Sequence, residues 1–207
     1  DGKWVVERLE RDADGNLTGN KYYDLAANAT TEDRQVLGNG VPKHFVNFNN
    51  TITYKNWDLS INMRGQFGFQ ILNFQEMFYA NPTIQYNVLN SAFNTHDVVS
   101  ISEDKKSVTK TGEKVRINDS QRYVSEYVED GDFWKIDNVT LGYSFNVKKL
   151  KWIQRLRIYA SCLNLATITG YKGIDPEVDI TGLTAGTDDR DKYPTTRSFT
   201  FGVNITF

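Results

Sequence analysis

Oxygen-bearing side chains recur at alternate positions in the segment "DADGNLTG", residues 12–19. Their oxygens would suit a hard cation such as Ca²⁺, which takes oxygen ligands. An EF-hand, however, has glycine at its sixth position and glutamate at its twelfth, where this chain has Leu17 and Tyr23. Asp-Gly and Asn are also ordinary turn formers. The segment is a weak calcium-loop candidate, and a plain turn is the favoured interpretation; the candidate ligands are Asp12, Asp14, Asn16 and Thr18.

Residue types that perform catalysis or bind transition metals are sparse in this chain. His44 and His96 lie far apart without ligand spacing, and the lone cysteine, Cys162, excludes an internal disulfide. No grouping of serine, histidine and carboxylate suggests a nucleophilic site. The net charge of −2 leaves no basic surface for nucleic acid. We therefore expect no enzyme, no cofactor, no metal beyond the calcium candidate, and no nucleic-acid partner.

Alternating apolar and polar residues predict the elements that must position any site. Successive side chains of a strand point to opposite faces, so strict alternation indicates half-buried β-strands. In the last segment, Phe199, Phe201, Val203, Ile205 and Phe207 share one face, and Ser, Thr, Gly and Asn occupy the other. The same pattern predicts antiparallel strands at 45–54, 57–69, 138–145, 155–162 and 198–207.

The connections between these strands alternate between short and long. Lys55 and Asn56 form a two-residue hairpin turn, and residues 146–154 form another short connection. By contrast, 70–131 and 166–195 are long loops, which are unusual in compact soluble domains. Short turns at one end and long loops at the other are typical of outer-membrane barrels. No apolar run approaches the roughly 20 residues that a membrane helix needs.

Two architectures could cover the apolar face of these strands. A soluble β-sandwich would pack it against a second sheet, whereas a membrane barrel would turn it towards lipid. The polar face favours the barrel because it is rich in Asn, Thr, Ser and Gly rather than Lys and Glu. Aromatic residues near strand ends also predict an interfacial girdle at one rim. Its members are Tyr54, Trp57, Tyr143, Phe145 and Trp152, joined by Phe207.

Four blocks of the chain carry a family resemblance, namely "VPKHFVNFNNTITYKNWDLSINMRGQFG" (41–68), "DGDFWKIDNVTLGYSF" (130–145), "RLRIYASCLNLATITGYKGIDPEV" (155–178) and "YPTTRSFTFGVNITF" (193–207). The last three resemble the C-terminal signature of the SusC/RagA-type TonB-dependent outer-membrane transporters, and the first is similar to an upstream block of that family. The blocks follow the order of the family, whereas 70–129 matches no family pattern.

The resemblance implies an all-β fold, namely the C-terminal antiparallel strands of a plugged transmembrane barrel of about 22 strands. Residues 1–207 would then be the C-terminal portion of the barrel domain, without the N-terminal plug and the earlier strands. The segments 70–131 and 166–195 would be extracellular loops. Within the latter, the acidic stretches "YKGIDPEV" (171–178) and "TDDRDK" (187–192) are interpreted as solvated loops rather than cation or carbohydrate sites.

The resemblance also implies a function, which is import of oligosaccharides or peptides across the outer membrane of a Gram-negative bacterium. The expected partners are a SusD-like surface lipoprotein acting as a lid, TonB through the absent N-terminal region, outer-membrane lipid, the barrel-assembly machinery and the imported substrate. The alternative that stays open is a soluble cell-surface β-sandwich that binds glycans.

Single residues receive roles within this interpretation. In outer-membrane proteins a terminal aromatic on an amphipathic strand resembles the signal read by the assembly machinery, which makes Phe207 the assembly-signal candidate. Arg64, Arg155 and Arg157 would face the lumen and pair with carboxylates rather than hold substrate. Aromatic residues of 70–131 are expected to pack against one another rather than contact substrate; they are Phe74, Phe78, Tyr79, Tyr86 and Phe93.

Overall fold

The computed structural model describes residues 1–147, 152–179, 181–190 and 193–207. Parts of the predicted turn 146–154 and of the predicted loop 166–195 lie outside these residues. The described residues form the helix and strands β1 (Val5–Arg11), β2 (Leu17–Leu25), β3 (His44–Tyr54), β4 (Trp57–Phe67), β5 (Gln70–Asn73), α1 (Phe74–Tyr79), β6 (His96–Ile101), β7 (Val108–Val115), β8 (Val128–Asp130), β9 (Phe133–Phe145), β10 (Arg155–Thr169), β11 (Thr187–Asp188) and β12 (Ser198–Thr206).

Helices are a minor part of this fold. In the ranges that the structure describes, no helix combines the length and the apolar character needed to cross a membrane. The chain divides into two compact units, one formed by residues 1–38 and 72–128 and the other by residues 39–71 and 129–207.

The second unit contains an antiparallel five-stranded sheet in the order β12–β10–β9–β4–β3. These are the five strands predicted from alternation, so the prediction of their existence and type is confirmed. The hairpin turn is also confirmed, because Tyr54 pairs with Trp57 across Lys55 and Asn56. Lys55 takes the left-handed conformation, with φ of 54°, which a tight hairpin requires at this point.

Strands β9 and β10 are longer than predicted, and the reason is a pair of irregularities. The register shifts between Leu163 and Ala166 on β10, where Asn164 has a left-handed φ of 51°, and Asp137 is skipped on β9. A bulge of this kind breaks the period-two alternation and re-aims the side chains beyond it. Past the bulge, Lys135 pairs with Arg64 and therefore shares its face of the sheet.

A small apolar core closes this end of the sheet. It consists of Phe69, Ile71, Phe133, Tyr171 and Val178, all of them buried. Ile71 lies in β5, the central strand of a three-stranded sheet in the order β11–β5–β8. Gly131 is required here, because an added Cβ would lie 2.6 Å from the Phe69 ring.

The first unit is built from two antiparallel hairpins, β1–β2 and β6–β7, and the short helix α1. The Trp4 ring makes edge contacts with His96 and Tyr127, at centroid distances of 5.7 and 6.1 Å. The Asn73 side chain caps α1 by accepting a hydrogen bond from the Glu76 amide. Much of the segment 70–131, which was predicted only as a long loop, is therefore ordered secondary structure.

Four of the five aromatic residues expected to pack in this segment do so, whereas Phe93 is 53% exposed and has the Arg116 guanidinium over its ring. Phe78 contacts Tyr79 and Tyr86, at centroid distances of 5.0 and 6.5 Å, and Phe74 contacts Tyr123 at 6.1 Å. These contacts order the segment locally. Its extracellular location stays a prediction.

Candidate functional site: two faces of the five-stranded sheet

One face of the five-stranded sheet is apolar at most of its positions, with Asn50 of β3 as a polar exception. Directly paired residues of neighbouring strands share a face, so the register aligns them in rows. One such row contains Ile52, Leu59, Leu141, Ala160 and Phe201. The next row towards the hairpin turn contains Tyr54, Trp57, Tyr143, Ile158 and Val203. The alternation read from the sequence therefore corresponds to one continuous surface.

The apolar face is exposed rather than covered. Leu141, Ile158 and Val203, on three neighbouring strands, are 44, 43 and 59% exposed. In a β-sandwich these side chains would be the core, because inner-face residues of two sheets interdigitate. Their exposure contradicts the sandwich alternative and is typical of a membrane-barrel wall whose apolar face contacts lipid.

The opposite face is polar, and its side chains bond to one another. Its central row contains Thr51, Ser60, Thr140, Ser161 and Thr200. The Thr140 and Ser161 hydroxyls lie 2.8 Å apart, and the Ser161 hydroxyl is also 2.8 Å from the Asn138 side-chain oxygen. Hydroxyl and amide groups of this kind suit a water-filled lumen.

A bidentate ion pair crosses the polar face from β10 to β4. Arg157 donates from Nε to Asp58 at 2.9 Å, and its Nη2 donates to the second carboxylate oxygen. The guanidinium passes over Gly142 of β9, where an added Cβ would lie 2.2 Å from Nη2. Gly142 is therefore the opening through which the pair forms, and the prediction that Arg157 pairs with a wall carboxylate is confirmed.

A second ion network lies where the bulge brings Lys135 beside Arg64. Arg64 donates from Nε to Asp137 at 2.7 Å, and both of its Nη atoms donate to the Glu177 carboxylate, one of them at 2.8 Å. The buried Lys135 ammonium donates to Glu177 at 2.8 Å and lies 3.8 Å from Asp175. The pairing predicted for Arg64 is thus confirmed, whereas Arg155 is exposed and forms no ion pair with a described carboxylate.

The pKa of the Glu177 carboxyl is strongly changed by these neighbours. Burial by itself would raise its pKa, because it disfavours the charged form. Hydrogen bonds and charges from Arg64 and Lys135 outweigh burial and lower the pKa of Glu177 to about 2. The carboxylate is therefore ionised at any physiological pH, as a permanent anchor requires.

Segment 171–178 does not behave as the solvated loop expected from its acidic composition. Tyr171, Asp175 and Val178 are buried, and the Tyr171 hydroxyl donates to the buried Asp188 at 2.6 Å. The solvated-loop interpretation of this segment and of Asp188 is therefore wrong. The error arose because several of these contacts are distant in sequence: Asp175 pairs with Lys135 of β9, and Tyr171 and Val178 pack with Phe69, Ile71 and Phe133.

The predicted girdle residues gather at the hairpin end of the sheet. Trp57 contacts Tyr143 at 4.8 Å, and Tyr143 contacts Phe145 at 4.9 Å between ring centroids. Trp152 stacks on Phe207 at 6.3 Å with nearly parallel rings. Tyr54 pairs with Trp57 in the register and is exposed. The structure brings these residues together, whereas their contact with a membrane interface stays a prediction.

The calcium-loop residues form the tip of the β1–β2 hairpin. The Asp12 carboxylate accepts hydrogen bonds from the backbone amides of Asp14 and Asn16, at 3.0 and 2.8 Å, and these bonds lower its pKa. The Thr18 hydroxyl instead donates to Glu10. These contacts are those of a plain turn, and calcium binding stays an untested prediction. In the described ranges, no group of three or more His, Cys, Asp or Glu residues is arranged to hold a metal ion.

Comparisons with known proteins place this geometry in context. No protein-family model matches the chain. TonB-dependent receptor P3 of Formosa agariphila is 30% identical over 205 residues, covering 94% of this chain and 19% of that protein. TonB-dependent receptor SusC of Bacteroides thetaiotaomicron is 28% identical over 204 residues, covering 95% of this chain and 18% of that protein. The chain spans about a fifth of the length of these curated relatives.

Solved structures show the same fold. A structure of the RagAB peptide transporter matches with a TM-score of 0.71 and 21% identity, over 100% of this chain and 21% of that one. A RagAB peptide importer in a closed-closed state matches with a TM-score of 0.70 at 21% identity, over the same shares of the two chains. The fold prediction, antiparallel strands from a large transmembrane barrel, is confirmed.

The sequence relatives also settle the class of protein. They are receptors and transporters rather than enzymes, so the prediction of a non-enzyme is confirmed. The resemblance is therefore confirmed: the homologues of the chain are TonB-dependent receptors that include SusC, and the chain covers a C-terminal fragment of them.

Proposed function

We propose that the chain forms part of the barrel wall of a TonB-dependent importer of oligosaccharides or peptides in the outer membrane of a Gram-negative bacterium. One observation carries the proposal: a single five-stranded sheet exposes an apolar face and bears hydroxyls, amides and ion pairs on the other. Lipid would contact the apolar face, and the polar face would line the lumen.

The sheet edges fit a wall that continues beyond this chain. Strands β3 and β12 are the two edge strands of the described sheet. A backbone edge at membrane depth needs a partner strand, because unsatisfied amides and carbonyls are costly in hydrocarbon. Other strands of the longer protein would pair with both edges and close the barrel.

The partners follow from the same proposal. The name of SusC and the RagAB peptide importer structures support a nutrient importer that works with a SusD-like surface lipoprotein as its lid. TonB would act through N-terminal parts of the full-length protein. The segments 70–131 and 166–195 would form extracellular loops, and the aromatic girdle with Phe207 would lie at the periplasmic rim. The barrel-assembly machinery would recognise Phe207.

Deletion of the full-length gene tests the function. We expect the deletion strain to lose growth on one glycan or peptide mixture as sole carbon source and to keep growth on glucose. The full-length protein should fractionate with the outer membrane and require detergent for extraction. Recovery of the protein in a detergent-free soluble fraction, or unchanged growth on all glycans and peptides, would contradict the proposal.

A further inference from the structure

Residues 171–178, here called the strap, leave the end of β10 and lie against the polar face of the sheet. The strap contains both buried and exposed positions. Tyr171, Asp175 and Val178 are buried, whereas Lys172 is exposed and Ile174 is 54% exposed. The strap therefore has one side that belongs to the wall and another that meets solvent.

Charge holds the strap to the wall. Lys135 is 2% exposed, and the carboxylates that compensate its ammonium come from the strap residues Glu177 and Asp175. Arg64 adds a bidentate pair of hydrogen bonds to the Glu177 carboxylate. Removing the strap would leave Lys135 without these carboxylates, and a buried charge that loses its partner is strongly unfavourable.

Apolar packing and further hydrogen bonds act in the same direction. Tyr171 and Val178 complete a core whose other members, Phe69, Ile71 and Phe133, are almost fully buried. The Thr195 hydroxyl also donates to Asp175. Lifting the strap would expose this core in one step.

Segments that move during function are drawn from the least stable parts of a protein, with few buried contacts. The strap has the opposite character. We propose that it stays docked throughout transport, as a fixed lining of the passage rather than a gate, with Glu177 as its positioning residue. Its exposed residues, Lys172 and Ile174, are then the side chains that it presents to cargo. This inference rests on the proposed function, because the polar face must line the passage.

Cysteine accessibility in the full-length protein tests the inference. In a background with Cys162→Ala and no other reactive cysteine, Ile174→Cys and Val178→Cys are labelled on intact cells with a membrane-impermeant maleimide. The labelling is repeated after a protonophore has collapsed the energy supply. We expect position 174 to label readily, and position 178 to label about ten-fold more slowly, in both states. Energy-dependent labelling of position 178 at the rate of position 174 would overturn the proposal.

The anchor is tested by adding Glu177→Gln to the Val178→Cys protein. We expect labelling of position 178 to accelerate several-fold towards the rate of position 174. Asp179→Asn is the matched control, because the Asp179 carboxylate accepts hydrogen bonds from the neighbouring Thr181 and should leave the protection unchanged. Unaltered protection in the Glu177→Gln protein would overturn the role of Glu177 as anchor.

A third outcome separates this inference from the proposed function. If neither position labelled on intact cells, the extracellular orientation in the proposed function would be contradicted. The ratio of the two labelling rates in detergent-solubilised protein would then decide the inference: slow labelling at 178 would support the docked strap, and equal rates would overturn it.

Discussion

At the scale of single residues, Gly142 decides whether two strands that are not neighbours can be joined. Strand β9 separates Arg157 from Asp58, and the Arg157 side chain crosses it where there is no Cβ. Glycine inside a strand is normally a weakness, because it costs backbone entropy. Here it allows a charge-assisted, bidentate bond across three strands, which offsets that cost.

We predict that Gly142→Ala breaks this ion pair. The new methyl group would lie 2.2 Å from Arg157 Nη2, so the guanidinium must move away from Asp58. Loss of a hydrogen bond between charged groups costs about 1–3 kcal/mol. The thermal unfolding midpoint of the detergent-solubilised full-length protein should therefore fall. Gly170→Ala is the control, since its Cβ would meet nothing within 4 Å; an equal fall in both variants would contradict the explanation.

The stability of the folded protein should depend on pH through the single residue Glu177. Its pKa is lowered from 4.5 to about 2 in the folded protein, so the folded state favours the ionised form. The resulting stabilisation is complete above the unfolded pKa of 4.5 and is lost as the pH falls towards 2. We expect wild type to unfold at a higher temperature than Glu177→Gln near neutral pH, with the difference shrinking below about pH 4.5. A difference that is constant down to about pH 2.5 would exclude this linkage.

At the scale of elements, the two faces of a strand should tolerate charge differently. Leu141→Arg and Val203→Arg place a guanidinium on the apolar face, where lipid contact costs about 2–4 kcal/mol at the membrane midplane and about 0–1 kcal/mol near the interfaces. Leu141→Arg should be the more harmful, because Val203 lies in the girdle row of Trp57 and Tyr143. Thr200→Arg, on the polar face of β12, should be tolerated. The measurement is the amount of folded full-length protein in outer-membrane fractions. Equal assembly of all three variants would show that the assignment of the faces is wrong.

The strands of the sheet could be predicted from the sequence, whereas the bulge and the strap could not. Alternation identified the strands because each position depends only on which face it occupies, as with Leu141 and Val203. It failed at Asp137, where one extra residue reverses the facing of Lys135 and Phe133 relative to the rest of β9. The strap was missed for another reason, since Glu177 and Arg64 are 113 residues apart in sequence. Contacts of that range depend on the folded register and leave no local pattern.

At the scale of the whole molecule, apolar residues divide between two environments. In the five-stranded sheet they line one exposed face, and a smaller group forms the buried core that the strap completes. A soluble domain concentrates its apolar groups inside, so this arrangement is stable only if lipid replaces the missing interior. The described sheet is therefore understandable as one sector of a closed wall, and its assembly must precede any function.

Assembly gives the prediction that belongs to this scale. If Phe207 is the residue that the assembly machinery recognises, Phe207→Ala should lower the amount of folded full-length protein in the outer membrane several-fold in cells. Phe201→Ala is the matched control, because Phe201 lies in β12, shares its apolar alternation with Phe207, which follows the last residue of that strand, and is similarly exposed. If Phe207 contributes only apolar area, as a girdle residue would, the two variants should lose similar amounts of folded protein, because each loses one phenyl ring. The amount of folded protein is measured by heat-modifiable mobility on gels. Equal losses would contradict the assembly-signal role and would leave Phe207 as a girdle residue that stacks on Trp152.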